Sequence, residues 1–311
     1  MKYLITGGAG FIGSHLVDKL IEESHEVTVI DNLSTGKKEN LNPKAVFYNI
    51  DILDPKVSQV FEKEKPEIVF HYAAHIEARE SVKDPLSDAK TNIIGSLNVL
   101  ENCRKFNIKK TVFASSGGEI YGDATVIPTP ENYPPNPISP YGVAKLTIEK
   151  YLNSYFKIYG FKFVAARLGN VYGPRQNPNG EAGVIAIFTN KMLKNEDCFI
   201  HGEGKQTKDY IYIEDAVRAT INLSKIDFVG AINISTSKEI SVIEIFNKLK
   251  ELTGYKKEAQ RSDFPTCGFK RGSLSIKKAK EVIDWSPEYD FDKGLKLTVD
   301  WFKDRKNNDD A

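Results

Sequence analysis

The chain has 311 residues, 41% of them hydrophobic, and its 43 basic and 42 acidic side chains nearly cancel. This length suits one large or two modest domains, and the balanced charge gives no electrostatic footprint for nucleic acid or an anionic membrane. The three cysteines are widely spaced and form no CxxC pair, so neither a zinc site nor a disulfide framework is indicated. With no signal segment and no apolar run of about 20 residues, we expect a cytoplasmic protein that is not bound to a membrane.

The first half of the chain alternates short β-branched runs with helical stretches. Several runs are apolar almost throughout, as expected of strands buried on both faces of a parallel sheet. The predicted strands are Tyr3–Thr6, Glu26–Asp31, Val46–Ile50, Ile68–His71, Thr111–Ser115 and Phe163–Arg167. The predicted helices are Phe11–Glu22, Pro55–Glu64, Leu86–Phe106 and Tyr141–Tyr159. This order predicts an α/β fold, a doubly wound Rossmann-type parallel sheet with helices on both faces.

The character of the chain changes after about Gly169. Asn170–Gly183 is rich in Gly, Pro and Asn, so we expect a long functional loop there. Beyond it, helices and short strands mix irregularly, which indicates a smaller α+β unit. We therefore predict a first domain over residues 1–170 and a substrate-binding domain over residues 171–311, with some later chain returning to the first domain.

A glycine-rich loop joins the first strand to the first helix, in the run Gly7-Gly8-Ala9-Gly10-Phe11-Ile12-Gly13. Gly7 permits a tight turn, Gly10 lets the backbone approach a pyrophosphate, and Gly13 allows the helix to pack close to the sheet. The N–H groups at the helix start face the phosphates. Asp31 ends the second strand about 20 residues on, where a carboxylate suits the 2′-hydroxyl of NAD and repels the 2′-phosphate of NADP.

Further positions extend the predicted cofactor site. Asn32 follows Asp31, and Asp51-Ile52 ends the third strand, where it could meet the adenine. An aspartate that ends a strand and caps the next turn is the other interpretation of Asp51, and spacing alone does not decide between the two.

Tyr141 and Lys145 lie at the start of a predicted helix, behind Ser139-Pro140. Residues four apart share a helix face, so the phenol and the ammonium can point into one site. A phenol with a pKa of about 10 is a poor base at neutral pH, but an adjacent ammonium favours the phenolate and lowers that pKa. The pair is a candidate general base with its activator, although an amphipathic helix with one Tyr and one Lys satisfies the same pattern.

Further motifs follow one another along the chain. They are Tyr72-Ala73-Ala74, Ser115-Ser116-Gly117-Gly118-Glu119-Ile120-Tyr121-Gly122, Ser139-Pro140-Tyr141-Gly142-Val143-Ala144-Lys145, Arg167-Leu168-Gly169-Asn170-Val171-Tyr172-Gly173-Pro174-Arg175 and Gly202-Glu203-Gly204-Lys205-Gln206-Thr207-Lys208-Asp209. With the glycine loop, they resemble the UDP-glucose 4-epimerase family of extended short-chain dehydrogenase/reductases over nearly the whole chain. Asn170–Val184 is the segment most specific to sugar-nucleotide epimerases.

The resemblance implies an NAD-dependent isomerase that acts on a UDP-sugar. Tyr141 takes the proton from the sugar 4-hydroxyl, the C4 hydride passes to tightly held NAD⁺, and the 4-keto sugar turns over before hydride returns to its other face. Lys145 binds the nicotinamide ribose and tunes Tyr141. Relatives are commonly homodimers, and we expect a homodimer here.

The resemblance also assigns residues that line the two ligand sites. Asn92, Ser115 and the Tyr72-Ala73-Ala74 backbone line the cofactor site. Asn170 and the region of Val184 hold the nucleotide diphosphate.

The chain departs from the family at the residue that hydrogen-bonds the sugar 4-oxygen. Many relatives carry Ser or Thr where this chain has Gly117. Ser116 is adjacent but would project differently, so three interpretations stay open: Ser116 substitutes, a water does, or Tyr141 works alone.

Glu119 raises a question about the reaction. In the related 4,6-dehydratases and decarboxylases, a Glu at this position takes part in catalysis. The residue before it here is Gly118, which cannot donate a proton as the usual Asp or Ser could. A glutamate that makes only a local hydrogen bond is an equal alternative.

The phosphate site departs from the family as well. Lys208 and Pro265 stand where the family usually places Arg, and Lys is a point charge without the bidentate fork of Arg. Arg261, Lys270 or Arg271 could compensate.

Gly272 lies thirteen residues before Trp285, at a position that borders the sugar pocket in the family. A glycine there would leave room for an N-acetyl group at C2, which predicts that UDP-N-acetylglucosamine is also a substrate. A local shift of the chain that leaves Gly272 in a simple turn is the alternative.

Three functions follow from the sequence. The first is a nucleotide-sugar 4-epimerase for UDP-glucose and UDP-galactose. The second is a 4,6-dehydratase or decarboxylase that uses Glu119. The third, outside enzymes, is a dinucleotide-sensing binding protein, for which a tuned Tyr141–Lys145 pair has no use.

Overall fold

A seven-stranded parallel sheet organises the chain. The computed structural model describes residues 1–179, 183–262 and 270–309. The order of the strands is β11-β6-β5-β4-β1-β2-β3, with every neighbouring pair parallel. The predicted doubly wound Rossmann-type α/β fold is confirmed.

The strands of the described chain fall into this sheet and three two-stranded ones. They are β1 Lys2–Thr6, β2 Glu26–Asp31, β3 Val46–Asn49, β4 Ile68–His71, β5 Lys110–Ser116, β6 Phe163–Leu168, β7 Asn170–Tyr172, β8 Phe199–His201, β9 Thr207–Lys208, β10 Tyr210–Tyr212, β11 Gly230–Ile234, β12 Ile240–Ser241 and β13 Gln260–Ser262.

The α-helices cover both faces of the large sheet and build most of the second unit. They are α1 Phe11–Glu22, α2 Val57–Glu64, α3 Ala78–Lys83, α4 Pro85–Ala89, α5 Ser96–Lys105, α6 Gly117–Tyr121, α7 Pro140–Tyr159, α8 Val184–Leu193, α9 Ile213–Lys225, α10 Val242–Thr253, α11 Lys277–Ile283 and α12 Phe291–Asp309. None of the helices in the described ranges is long and apolar enough to cross a membrane.

Alternate residues of the central strands enter two separate cores. Ile5 and Phe70 pack on the side of α1 and α9, whereas Leu4 and Val69 pack on the side of α2 and α5. All four are fully buried. This double burial is why the strands read as continuous apolar runs, and why they could be predicted from the sequence.

The predicted helix Leu86–Phe106 is wrong in its middle. It consists of α4, a π-helical stretch Lys90–Gly95 and α5. The π-helical stretch has only six residues, too few for its wider turn to disturb the hydrophobic pattern. Such stretches occur mostly at functional sites, and this one carries Asn92.

The two sequence halves are interwoven. β11, residues 230–234, pairs with β6 at the edge of the large sheet, and α9 packs against α1. The first structural unit therefore includes chain from well beyond residue 170.

The second unit begins inside the predicted loop. Asn170–Tyr172, expected to be loop, forms β7 and pairs with β10. Helices α8, α10 and α12 pack together beside it. Asp209, which is buried, joins three segments of this unit: its carboxylate accepts hydrogen bonds from the N–H groups of Thr236, Ser237 and Leu274 at 3.0 Å each.

Candidate active site

A cavity of about 490 Å³ opens at the carboxyl ends of the parallel strands and is walled by both units. Most residues that the sequence assigned to the cofactor or the substrate line it. They are Gly7, Gly10, Phe11, Ile12, Gly13, Asp31, Asn32, Asp51, Ile52, Tyr72, Ala73, Ala74, Ser115, Ser116, Tyr141, Lys145, Asn170 and Lys208. This edge of an open parallel sheet is where such folds bind ligands.

The glycine loop leaves no room for larger side chains. A Cβ on Gly13 would lie 2.1 Å from the Gly7 carbonyl oxygen, and one on Gly7 would lie 2.6 Å from the Ala73 nitrogen. The first helix therefore sits close against the sheet. Its N-cap, Gly10, provides no side-chain acceptor, and its first turn has no acidic residue. Its unpaired N–H groups are suited to a pyrophosphate.

Two aspartates mark the far end of the cavity. The buried Asp31 carboxylate accepts hydrogen bonds from the N–H groups of Ala9 (3.0 Å) and Leu33 (2.8 Å), and burial raises its pKa. The Asp51 carboxylate accepts hydrogen bonds from the Asn32 amide (2.7 Å) and the Leu53 N–H (2.8 Å). Asp51 thus both caps its turn and borders the cavity. The residues fit an adenosine with an unmodified 2′-hydroxyl.

The start of α7 places the Tyr–Lys pair in the centre of the cavity. Ser139 caps the helix by accepting a hydrogen bond from the Gly142 N–H, and Pro140 occupies its first turn. The Lys145 Nζ donates to the Ala114 carbonyl at 2.9 Å and lies 5.6 Å from the centre of the Tyr141 ring. Burial lowers the pKa of Lys145 to about 8.

The sequence predicts that Lys145 lowers the pKa of Tyr141, but in the structure the surroundings of Tyr141 raise it. Burial raises the pKa of the Tyr141 phenol, and the carboxylates of Glu119 and Asp88 raise it further. Burial has the largest effect, because the charged phenolate would be almost sealed from water.

Ser116 is the hydroxyl that stands beside Tyr141. Its side chain acts to lower the pKa of the phenol, and Ser116 lines the cavity. Gly117 does not line the cavity, and its assignment to the substrate site stays a prediction. Its Cα faces Leu274 instead, because the backbone turns into α6 at this point. The geometry favours Ser116 among the three interpretations of the missing Ser or Thr.

Ser115 borders the cavity, but its hydroxyl has another partner. It donates to Glu149 at 2.7 Å, and Glu149 forms a buried ion pair with Arg167 at 2.6 Å. Glu149 follows Lys145 by one helical turn, so this network ties the catalytic helix to β5 and β6. Ser115 therefore supports the site through Glu149.

Asn92 is buried and is absent from the cavity lining, so its assignment to the cofactor site stays a prediction. Its amide donates to the His75 carbonyl and to Asp88, and accepts from the His75 N–H, all at 2.8 Å. Because its side chain is fully used inside the protein, Asn92 shapes the wall of the cavity.

Glu119 lines the cavity and has a local hydrogen bond. The Ser139 hydroxyl donates to its carboxylate at 2.8 Å. Its negative charge also acts to raise the pKa of Tyr141 and the pKa of Lys208. Both interpretations of Glu119 thus have a structural counterpart.

Lys208 faces the cavity from β9. Burial lowers its pKa to about 7, against the opposing effect of the Glu119 and Asp123 carboxylates. Pro265, the other position where the family has Arg, lies outside the described residues.

The proposed substitutes for the missing arginines lie away from the cavity. Arg271 pairs with Glu239 at 2.6 Å, Arg261 donates to the Gly202 carbonyl at 2.9 Å, and neither they nor Lys270 line the cavity. Of the cationic phosphate ligands predicted within the described chain, Lys208 is therefore the one that the structure brings to the site, together with Asn170.

Gly272 and Val184 are not in the cavity lining, and their assignment to the substrate site stays a prediction. Gly272 borders a separate recess of about 20 Å³, beside Gly117 and Leu274. Val184 begins α8, and its neighbours Gly183 and Ile185 line the cavity in its place.

Several lining residues were missed by the sequence analysis: Glu77, Arg79, Thr91, Gln176 and Tyr210. Gln176 lies within the family-specific segment and could have been found there. Glu77 and Arg79 follow Tyr72-Ala73-Ala74 on a part of the chain with no distinguishing pattern.

No cluster of three or more metal-ligating side chains occurs among the residues that the structure describes.

The fold and this cavity define an NAD-dependent enzyme of the extended short-chain dehydrogenase/reductase type. The model of the NAD dependent epimerase/dehydratase family matches residues 3–234, and the chain belongs to that family. This confirms the resemblance drawn from the motifs.

Solved structures and curated proteins resemble the whole chain. UDP-glucose 4-epimerase of Thermotoga maritima, solved with UDP-glucose, is 47% identical with a TM-score of 0.97, covering 98% of this chain and 100% of that one. The Thermus thermophilus UDP-glucose 4-epimerase, solved with NAD, is 39% identical with a TM-score of 0.92, covering 97% and 99%. UDP-glucuronic acid decarboxylase 3 of Arabidopsis thaliana is 33% identical, covering 99% and 90%.

Proposed function

We propose that this protein is a UDP-sugar 4-epimerase that interconverts UDP-glucose and UDP-galactose with bound NAD. The observation that carries the proposal is the convergence of Tyr141, Lys145 and Ser116 on one cavity with the glycine loop. The epimerases solved with UDP-glucose and with NAD support it, since each covers nearly the whole chain.

The chain's own residues supply proton transfer and positioning. NAD⁺, when bound, supplies the acceptor and later the donor of the C4 hydride. Tyr141 removes the proton of the sugar 4-hydroxyl and returns it at the end of the cycle. Lys145 stabilises the phenolate, and Ser116 donates a hydrogen bond to the 4-oxygen. Because burial and the carboxylates of Glu119 and Asp88 raise the pKa of Tyr141, the base depends on positive charge close to it.

The test is to incubate the purified protein separately with UDP-glucose, UDP-N-acetylglucosamine and UDP-glucuronate and follow the products by NMR. We expect UDP-galactose from UDP-glucose, and intact sugar and nucleotide throughout. No conversion of any UDP-sugar, with the cofactor bound, would favour the dinucleotide-sensing alternative.

The cofactor is tested by denaturing the purified protein and analysing the supernatant. A reaction that regenerates its own oxidant favours tight retention, so NAD(H) should be present at near one per chain. NADP in its place would contradict the role of Asp31.

Glu119 supports a second candidate, a 4,6-dehydratase or decarboxylase, because it lines the cavity beside Tyr141. The decarboxylase among the relatives is consistent with it. Turnover in heavy water separates the two. Epimerisation should leave C5 without deuterium, and Glu119→Gln should change turnover only modestly. Deuterium at C5, or loss of water or CO₂ from the sugar, would establish the second candidate.

The proposal favours the unsubstituted hexose over the N-acetylated one. If Gly272 borders the sugar, its recess of about 20 Å³ suits one water and is too small for an acetamido group. Turnover of UDP-N-acetylglucosamine at the rate of UDP-glucose, abolished selectively by Gly272→Tyr, would restore the open-pocket hypothesis.

We further propose a cytoplasmic homodimer. The described cysteines, Cys103 and Cys198, are free thiols, as in a reducing compartment. Apolar side chains are exposed on the packed helices α4 and α7 and on the π-helical stretch, including Leu86 (82%), Ile94 (57%) and Val143 (48%). A second copy would cover this face. Light scattering should give twice the chain mass, and Leu86→Lys with Ile94→Lys should give the monomer.

A further inference from the structure

A buried carboxylate lies next to the Tyr–Lys pair, on an element that the motifs do not include. Asp88 is 1% exposed, near the end of α4. This short helix is fixed at its start by Asp84, which accepts a hydrogen bond from the Ser87 N–H at 3.0 Å. It packs against α7, the helix of Tyr141 and Lys145.

The Asp88 side chain is held in place from the π-helical stretch. The Asn92 amide donates one hydrogen bond to Asp88 Oδ1 and another to the His75 carbonyl, both at 2.8 Å. Asn92 thereby fixes the carboxylate relative to the wall of the cavity. Such a rigid acceptor suits an electrostatic role better than a mobile surface acid.

The charged groups around Asp88 come from several elements. Burial raises the pKa of Asp88, and the Asn92 hydrogen bond, His75 after β4 and Lys145 on α7 oppose this and favour its carboxylate. The negative charge of Asp88 in turn acts to raise the pKa of Lys145 and the pKa of Tyr141. Glu119, on α6, adds its charge at Tyr141, and His71, on β4, is fully buried near Lys145.

The balance at Lys145 decides what Asp88 does. Lys145 is buried, which favours its neutral amine, and the negative charge of Asp88 opposes this. A neutral Lys145 could not stabilise a phenolate. We propose that Asp88 is a positioning residue whose carboxylate, fixed by Asn92, keeps Lys145 charged. This inference rests on the proposed function for its kinetic consequence only.

The test compares Asp88→Asn, nearly isosteric and uncharged, with Asp88→Glu, which keeps the charge. In the holoenzyme, the loss of kcat/KM at high pH should begin about one pH unit lower in Asp88→Asn, as expected for removal of a nearby opposite charge. Asp88→Glu should keep the wild-type position of this limb even if its kcat falls. Glu101→Gln, which removes an exposed acid on α5, is the control and should leave the profile unmoved.

A second measurement needs no substrate. Lysine labelled with ¹³C at Cε reports the protonation of Lys145 by NMR, with the signal assigned through Lys145→Arg. The titration midpoint should fall in Asp88→Asn, and Asp88→Ser, which removes the same charge, should give the same fall if the first variant folds poorly. An unchanged midpoint in these variants would overturn the inference, whereas a shifted midpoint in a protein without epimerase activity would overturn only the proposed function.

Discussion

The side chain of Leu274 occupies the space into which a side chain at position 117 would project. A Cβ on Gly117 would lie 2.2 Å from Leu274 Cδ1. Leu274 cannot easily withdraw, because its N–H is bound to Asp209 and its carbonyl accepts from the Ser237 hydroxyl at 2.8 Å. The departure from the family at position 117 is thus a packing requirement, and the hydroxyl next to the phenol is that of Ser116.

Ser116→Ala should lower kcat about a hundredfold, because in the proposed mechanism it removes the hydrogen-bond donor to the sugar 4-oxygen. Gly117→Ser should instead destabilise the fold by about 1–3 kcal/mol through overpacking. Leu274→Ala should relieve that strain in the double variant. The measurements are steady-state kinetics and urea unfolding. Full activity of Ser116→Ala would show that a water or Tyr141 alone serves the 4-oxygen.

The sequence predicts the elements that are set by local patterns and misses those set by tertiary packing. Strands such as Ile68–His71 and the glycine loop are recognisable because their apolar runs and turn residues are contiguous. The pairing of Gly117 with Leu274 is not, because it joins residues far apart in the chain. Asp88 gives no signal either, since one acid on an amphipathic helix is indistinguishable from a surface residue until α4 is packed on α7.

Tyr141→Phe should reduce turnover at least about a hundredfold, the low end of what a positioned general base supplies. The ring remains, so NAD(H) content after denaturation should match that of the wild type. Tyr133→Phe provides the control. The Tyr133 hydroxyl is hydrogen-bonded to Thr125 at the surface, away from the Tyr141–Lys145 pair. Turnover near the wild-type level in Tyr141→Phe would remove the phenol from the mechanism.

Lys208 should make substrate binding depend on pH. Its pKa, lowered to about 7 by burial, means that the ammonium is present below neutrality and is lost as the pH rises. KM for UDP-glucose should therefore increase from pH 7 to pH 9, and kcat should change less. Lys208→Arg, which stays charged, should flatten this dependence. Equal KM profiles for the two proteins would show that Lys208 does not contact the diphosphate.

Asp209→Asn should lower the free energy of unfolding by about 3 kcal/mol or more. The variant places an amide where a buried carboxylate accepts hydrogen bonds from Thr236, Ser237 and Leu274, and donors left without an acceptor are costly. Asp123→Asn is the control, because Asp123 is exposed and its carboxylate accepts a hydrogen bond from the Lys270 N–H. Urea unfolding measures both, and similar midpoints would contradict the structural importance of Asp209.

The return of β11 to the edge of the large sheet has a consequence for how this enzyme is made and how it can diverge. During synthesis, the sheet cannot be completed until the ribosome has passed residue 234, so β6 waits for its neighbour while β7 to β10 and α8 and α9 emerge. The same arrangement anchors the intervening segment at both ends to adjacent strands. Changes within that segment can therefore alter which sugar is accepted and leave the glycine loop and the Tyr141–Lys145 helix where they are.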